Sequence, residues 1–240
     1  MTERVLTKDN LMVTTSWDDG SVTDLKLAEL LEKYGIKGTF YIATSFLDNP
    51  LLKKDIVALG KKFEIGAHTL SHPDLTMVSL SEAKKEIEDS KKYLEDLLGH
   101  SISMFCYPYG RYNEVIKKIV KDCGFVGART CDPRGFNLPA DPYAWHITLT
   151  ASNSSPLMAL RIWWKFRLWK PSSLLDWESR AKLLFDLALQ NGGVYHIYGH
   201  SVEFERTNEW DKLERVLAYI SNRENVQYMT NREILEHSLS

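Results

Sequence analysis

Cysteine is scarce in this chain. Cys106, Cys123 and Cys131 are its only three, and none of them forms a Cys-x-x-Cys pair. An odd, scattered set excludes a disulfide framework and suits a reducing compartment. Long apolar runs are also missing: no stretch of about eighteen such residues is present, so no transmembrane helix is expected. Residues 1–10, Met1 to Asn10, contain no apolar h-region, which predicts no signal peptide and a cytoplasmic location. Neither sign of charge is in excess. The formal net charge is −2, so no basic field argues for nucleic acid or an anionic membrane. Internal repeats and low-complexity tracts are absent too.

What remains is an ordinary globular composition. The hydrophobic share of 44% is enough for a sizeable core, and 240 residues suit a single domain over 1–240. Apolar periodicity predicts strands at 12–17, 38–43, 63–67, 102–107 and 125–129. It predicts helices at 21–34, 49–59, 79–98 and 113–122, with glycines closing most of them. Strands alternating with helices predict α/β architecture with parallel strands, whose functional groups gather at the C-terminal strand ends.

The polar residues that follow these strands form a candidate site. Asp18 and Asp19 end the first strand and Gly20 follows at once. Alternation along a strand predicts that the two carboxylates point in different directions, one free to bind a metal while the other handles a proton. His68 and His72 follow the third strand. Gly66 before them and Pro73 after them predict a turn rather than a helix. Two imidazoles and a carboxylate such as Asp19 suit zinc, iron(II), cobalt or manganese, and three protein ligands leave a position open for water. The same residues also read as an Asp-Gly turn and two loop histidines.

Thr15-Ser16-Trp17-Asp18-Asp19-Gly20, His68-Thr69-Leu70-Ser71-His72 and Phe105-Cys106-Tyr107-Pro108-Tyr109-Gly110 resemble, in order and separation, the first three motifs of the polysaccharide deacetylases, the NodB-homology or carbohydrate esterase family 4 enzymes. The resemblance covers about residues 12–125 and resumes near residue 192. It implies a distorted (β/α) barrel and metal-dependent removal of an acetyl group from a sugar. It implies Asp18 as general base and Asp19, His68 and His72 as ligands of one divalent ion: zinc first, with cobalt, manganese, nickel or iron as alternatives. The backbone N–H of Tyr109 would help hold the oxyanion. A histidine near the C-terminus would protonate the leaving amine. His196 and His200 share strand parity, and the family places this residue where the strand ends. That favours His200 and leaves His196 as a core histidine or pocket wall.

The chain departs from the family in its third motif, where Cys106 stands in the place of an arginine that orients the aspartate. A thiol cannot replace a guanidinium fork. Arg129, ending the next strand, is the candidate to supply that charge to Asp18. The fourth motif matches poorly. Trp145 is a candidate lining residue or a core residue, Asp141 before Pro142 reads as a turn, and no aspartate to tune His200 is evident. Residues 156–175 carry an aromatic and basic run, Pro156 to Lys170, without an acid. It reads as a packed helix with snorkelling cations, a sugar-stacking surface, or a contact for a membrane surface or a protein. The expected partner is an acetylated sugar that is small, nucleotide-linked or lipid-linked. A non-sugar (cyclic) amide hydrolase of the same superfamily and a silent carbohydrate-binding module remain open alternatives.

Overall fold

The computed structural model describes residues 11–153, 156–168 and 170–239. The leader reading of residues 1–10 and the part of the aromatic run at Trp169 lie outside the described residues. In chain order the elements are β1 (Leu11–Asp19), α1 (Asp24–Lys33), β2 (Gly38–Ile42), α2 (Lys53–Gly60), β3 (Glu64–Ala67), α3 (Leu80–Leu98), β4 (Met104–Cys106), α4 (Glu114–Asp122) and β5 (Gly127–Pro133). Then come β6 (Trp145–Ile147), β7 (Leu149–Thr150), α5 (Pro156–Lys165), α6 (Ser172–Leu175), α7 (Trp177–Asn191), β8 (Gly193–Gly199), α8 (Ser201–Thr207), α9 (Trp210–Ile220), β9 (Val226–Tyr228) and α10 (Asn231–Leu239).

Every paired strand is parallel, in the order β6-β5-β4-β3-β2-β1-β8-β7, with β9 beside the start of β1. β6 pairs with β5 and β7 with β8, so the sheet curls into a nearly closed (β/α) barrel. Thr148 makes the seam. Its N–H donates to the His196 carbonyl at 2.9 Å, and its Oγ1 accepts from the His196 N–H at 2.9 Å.

Strand alternation sorts the residues into two cores. Leu11, Val13 and Trp17 of β1 face the helices, together with Phe40, Phe105, Tyr195 and Ile197. Met12, Tyr41, Met104, Cys106, Trp145 and Val194 face inward, joined by Ile234 and Leu235 of α10. The inward row of β1 is Met12, Thr14, Ser16, Asp18. It turns from apolar to polar toward the C-terminal end, where the site lies.

α3 shows how local sequence builds the outer layer. Ala83, Ile87, Ser90 and Leu94 form its buried stripe. The Ser79 hydroxyl accepts from the Glu82 N–H at 3.2 Å, a cap worth about 1 kcal/mol. Gly99 ends the helix at φ 75°.

Several elements depart from the sequence expectation, these among them. α2 begins at Lys53 rather than near Pro50, because Pro50 bridges Ser21 and the extended Leu52 offers its N–H to Asp55. β5 continues past Arg129 to Pro133. His200 sits beyond the end of β8 and opens α8, a short helix that the periodicity did not announce.

Candidate active site

Asp18 and Asp19 do not diverge as strand alternation predicts. Asp19 leaves extended geometry at φ 81°, and Gly20 follows at φ 78°. This turn brings the Asp19 carboxylate round to the side that Asp18 already faces. His68 Nε2 then lies 3.7 Å from Asp18 Oδ2 and 3.6 Å from Asp19 Oδ1. His72 Nε2 lies 3.6 Å from the same Asp19 oxygen. A left-handed non-glycine residue is strained and persists where its surroundings hold it. Thr69 and His72 share this feature at φ 67° and 58°, and the Thr69 hydroxyl accepts from the His72 N–H at 3.0 Å.

Asp19, His68 and His72 bring one ligand atom each to within 4.8 Å of one another. The donor set fits a divalent ion. Asp19 Oδ1 is buried and meets no hydrogen-bond partner among the described residues. Burial raises the Asp19 carboxyl, and the Asp18 charge raises it further. An oxygen so placed suits a cation. His68 Nδ1 lies 2.8 Å from the Cys106 carbonyl oxygen and donates to it, which leaves the Nε2 lone pair facing Asp19. Burial pushes His68 down to about 3, and burial also lowers His72. Both rings are therefore neutral, as ligands must be. Asp18, His68 and Cys106 form a second geometric group. That group fits poorly, because the Arg129 cation touches Asp18 and burial holds the Cys106 thiol protonated.

Arg129 reaches across from β5 onto Asp18. Its Nη2 donates to Asp18 Oδ1 and also contacts Cys106 Sγ at 2.9 Å. Nη1 lies 3.4 Å from Cys131 Sγ. The guanidinium carbon stands 4.3 Å from the Tyr198 ring centre and 5.2 Å from that of Tyr41. Burial works to raise the Asp18 carboxyl, but the Arg129 guanidinium, as charge and as hydrogen-bond donor, outweighs it and holds it at about 2. Cys106 is thus the small strand-end residue that leaves room for the guanidinium.

His200 closes the far side. Its Nε2 is 3.8 Å from Asp19 Oδ2 and 3.3 Å from the Tyr198 hydroxyl, while its Nδ1 is 3.9 Å from Glu203 of α8. Tyr109 stands at φ 58° in the turn Pro108–Gly110, and its ring meets His72 edge-on at 4.7 Å. Gly110 is required there: a Cβ would fall 2.7 Å from the Cys131 nitrogen. Phe46 stacks on the other side of His72 at 4.3 Å.

Two sequence candidates lie elsewhere. Trp145 is 1% exposed in the inner core and packs 5.1 Å from the His196 ring, so it does not line an open pocket. Its strand parity turns it inward, the core reading of the two that the sequence leaves open. His196 is 1% exposed and bonds Ser16 Oγ through Nε2 at 2.8 Å, a core histidine. Five contact residues escaped the sequence reading: Tyr41, Phe46, Cys131, Tyr198 and Glu203. The last could have been sought one helical turn after His200, but nothing in the sequence announces α8.

The aspartate-histidine cluster lies at the strand ends of a parallel barrel, where the motifs place it. The polysaccharide deacetylase family model matches residues 6–128, just over half of the chain, and the chain belongs to that family. It is 27% identical over 124 residues to the peptidoglycan-N-acetylmuramic acid deacetylase PdaC of Bacillus subtilis, covering 50% of this chain and 26% of the relative. It is 27% identical over 121 residues to the peptidoglycan-N-acetylglucosamine deacetylase PgdA of Listeria monocytogenes, covering 49% and 25%. The match spans about a quarter of the length of these curated relatives. In fold it is similar to the carbohydrate esterase family 4 domain of a multidomain xylanase from the hindgut metagenome of Trinervitermes trinervoides. That likeness has a TM-score of 0.63 at 17% identity, over 95% of this chain and 91% of the other.

Proposed function

We propose that the chain is a metal-dependent hydrolase that removes the acetyl group from an N-acetylated sugar. One observation carries the reading: an ionised Asp18, fixed by Arg129, stands beside the Asp19 carboxylate and the neutral His68 and His72 rings, a set suited to a divalent ion. The relatives named for deacetylation of peptidoglycan sugars support the substrate class.

Asp19, His68 and His72 would hold the ion, zinc being the best match to one carboxylate and two imidazoles. When bound, such an ion polarises a carbonyl and acidifies water enough for a weakly basic carboxylate to take its proton. Asp18 is the group that accepts this proton, and Arg129 keeps it oriented and ionised. The Tyr109 N–H is assigned to the carbonyl oxygen as negative charge develops there. His200, across Asp19 from His72, delivers a proton to the leaving amine. Water adds across the C–N bond, and acetate and a free amino sugar leave. Phe46 and Tyr109 are 40% and 57% exposed beside His72 and offer ring faces to a saccharide.

Acetate release from N-acetylglucosamine oligomers and peptidoglycan fragments tests this reading, on chelated protein with and without added zinc or cobalt. Release restored by metal supports it. Absence of release from every acetylated sugar, with metal demonstrably bound, overturns the substrate class.

A further inference from the structure

Helix α5 is apolar on two sides. Ala159 and Ile162 pack inward at 2% and 3% exposure, yet Leu157, Leu160 and Trp164 on the opposite side are 81%, 48% and 69% exposed. Spacings of three and four place these three on one stripe. The stripe borders an open groove of about 500 Å³ that Arg161 also lines. Arg161 reaches a second pocket as well, of about 690 Å³, with Lys165, Arg134 and His146 around it. The cations there crowd one another. Partial burial and the charges of Arg161 and Arg134 lower the Lys165 ammonium, and burial with the charges of Arg134 and Lys165 lowers His146. The two carboxylates at the pocket already have cations, Asp132 with Arg134 and Asp141 with Lys117, each at 2.8 Å. No acid occurs between Asp141 and Asp176, in a chain whose net charge is −2.

An exposed apolar stripe marks a contact surface, and the cationic pocket beside it specifies the chemistry of the contact. A second copy of this chain is disfavoured, since a two-fold interface would set basic pocket against basic pocket. Ten residues of helix rise only about 15 Å, too short to cross a bilayer but suited to lying in its interface. We propose that this face of α5 docks the protein on an anionic phospholipid surface. Leu157, Leu160 and Trp164 enter the headgroup boundary, and Arg161, Lys165 and Arg134 take a lipid phosphate. The inference stands independently of the hydrolase reading.

Co-sedimentation of the full chain tests it, with vesicles of phosphatidylcholine alone and of equimolar phosphatidylcholine and phosphatidylglycerol. The protein should pellet with the anionic vesicles and be released by salt. Arg161→Glu with Lys165→Glu should weaken binding roughly tenfold or more. Leu157→Ser with Leu160→Ser should weaken it as well, with thermal melting unchanged because both side chains are exposed. Failure to pellet, or equal pelleting with neutral vesicles, overturns the proposal. So does self-association abolished by the same variants without any vesicle binding, which would assign the face to a second copy.

Discussion

Asp18 and Asp24 stand on either side of Gly20, both buried, at 2% and 0% exposure, yet they are held in opposite states. Burial raises both carboxyls. At Asp18 the Arg129 guanidinium overcomes burial and holds the group at about 2. At Asp24 the help is hydrogen bonding without a cation, from Ser201 Oγ at 2.5 Å and the Ser21 backbone, while Oδ2 has no partner among the described residues. Burial therefore pushes Asp24 up to about 8, with the charges of Asp19 and Asp18 adding to the rise. The difference teaches that a buried carboxylate is kept ionised by a cation rather than by a hydroxyl. It also explains why β5 must supply a guanidinium once Cys106 occupies β4.

The comparison can be broken most severely at Asp18 itself. Asp18→Asn removes the proton acceptor and should lower turnover by roughly 10²–10⁴-fold, read as acetate release per bound metal. Next comes Arg129→Ala, which turns the Asp18 environment into one like that of Asp24. A carboxylate stripped of its buried partner should cost about 3–5 kcal/mol in a denaturant melt. The acidic limb of the kcat/KM profile should move to higher pH, and Arg129→Lys should restore part of both. An unmoved pH limb would remove Arg129 from its positioning role.

The smallest effect on turnover is expected at Asp24. Its folded-state value of about 8 lies above the ordinary 3.8, so the folded state holds the proton more tightly. The resulting stability is complete below pH 4 and is lost as pH rises through 8, by up to about 1.4 kcal/mol per pH unit. Asp24→Asn has no proton to lose. Its stability should lack this decline between pH 4 and 8, as melts across that range would show. A decline equal to the wild type's would refute the assignment.

Much of this site is legible in the primary structure because strand ends carry it. Asp18, Asp19, His68 and His72 follow recognisable strands, and parity places Asp18 inward. Arg129 is found by asking what balances a buried aspartate once a cysteine fills its neighbour's place. Other features depend on distance rather than on pattern. The convergence of Asp18 and Asp19 rests on the φ of 81° at Asp19, which alternation does not foresee. Tyr198 and Glu203 meet His200 only because β8 ends at Gly199 and α8 begins at once. The seam at Thr148 joins two strands of three and two residues, too short for any periodicity to register.

The central claim is that two adjacent aspartates divide the work, Asp19 holding the ion and Asp18 moving the proton. Zinc titration of the Asp18→Asn and Asp19→Asn proteins, followed by calorimetry, tests it most directly. Asp19→Asn should lose zinc affinity beyond the roughly 10–100-fold typical of removing an outer partner. Asp18→Asn should keep it within about tenfold, at the low end of that outer-partner range, while releasing no acetate. Equal loss of zinc in both proteins would place Asp18 among the ligands and contradict the division.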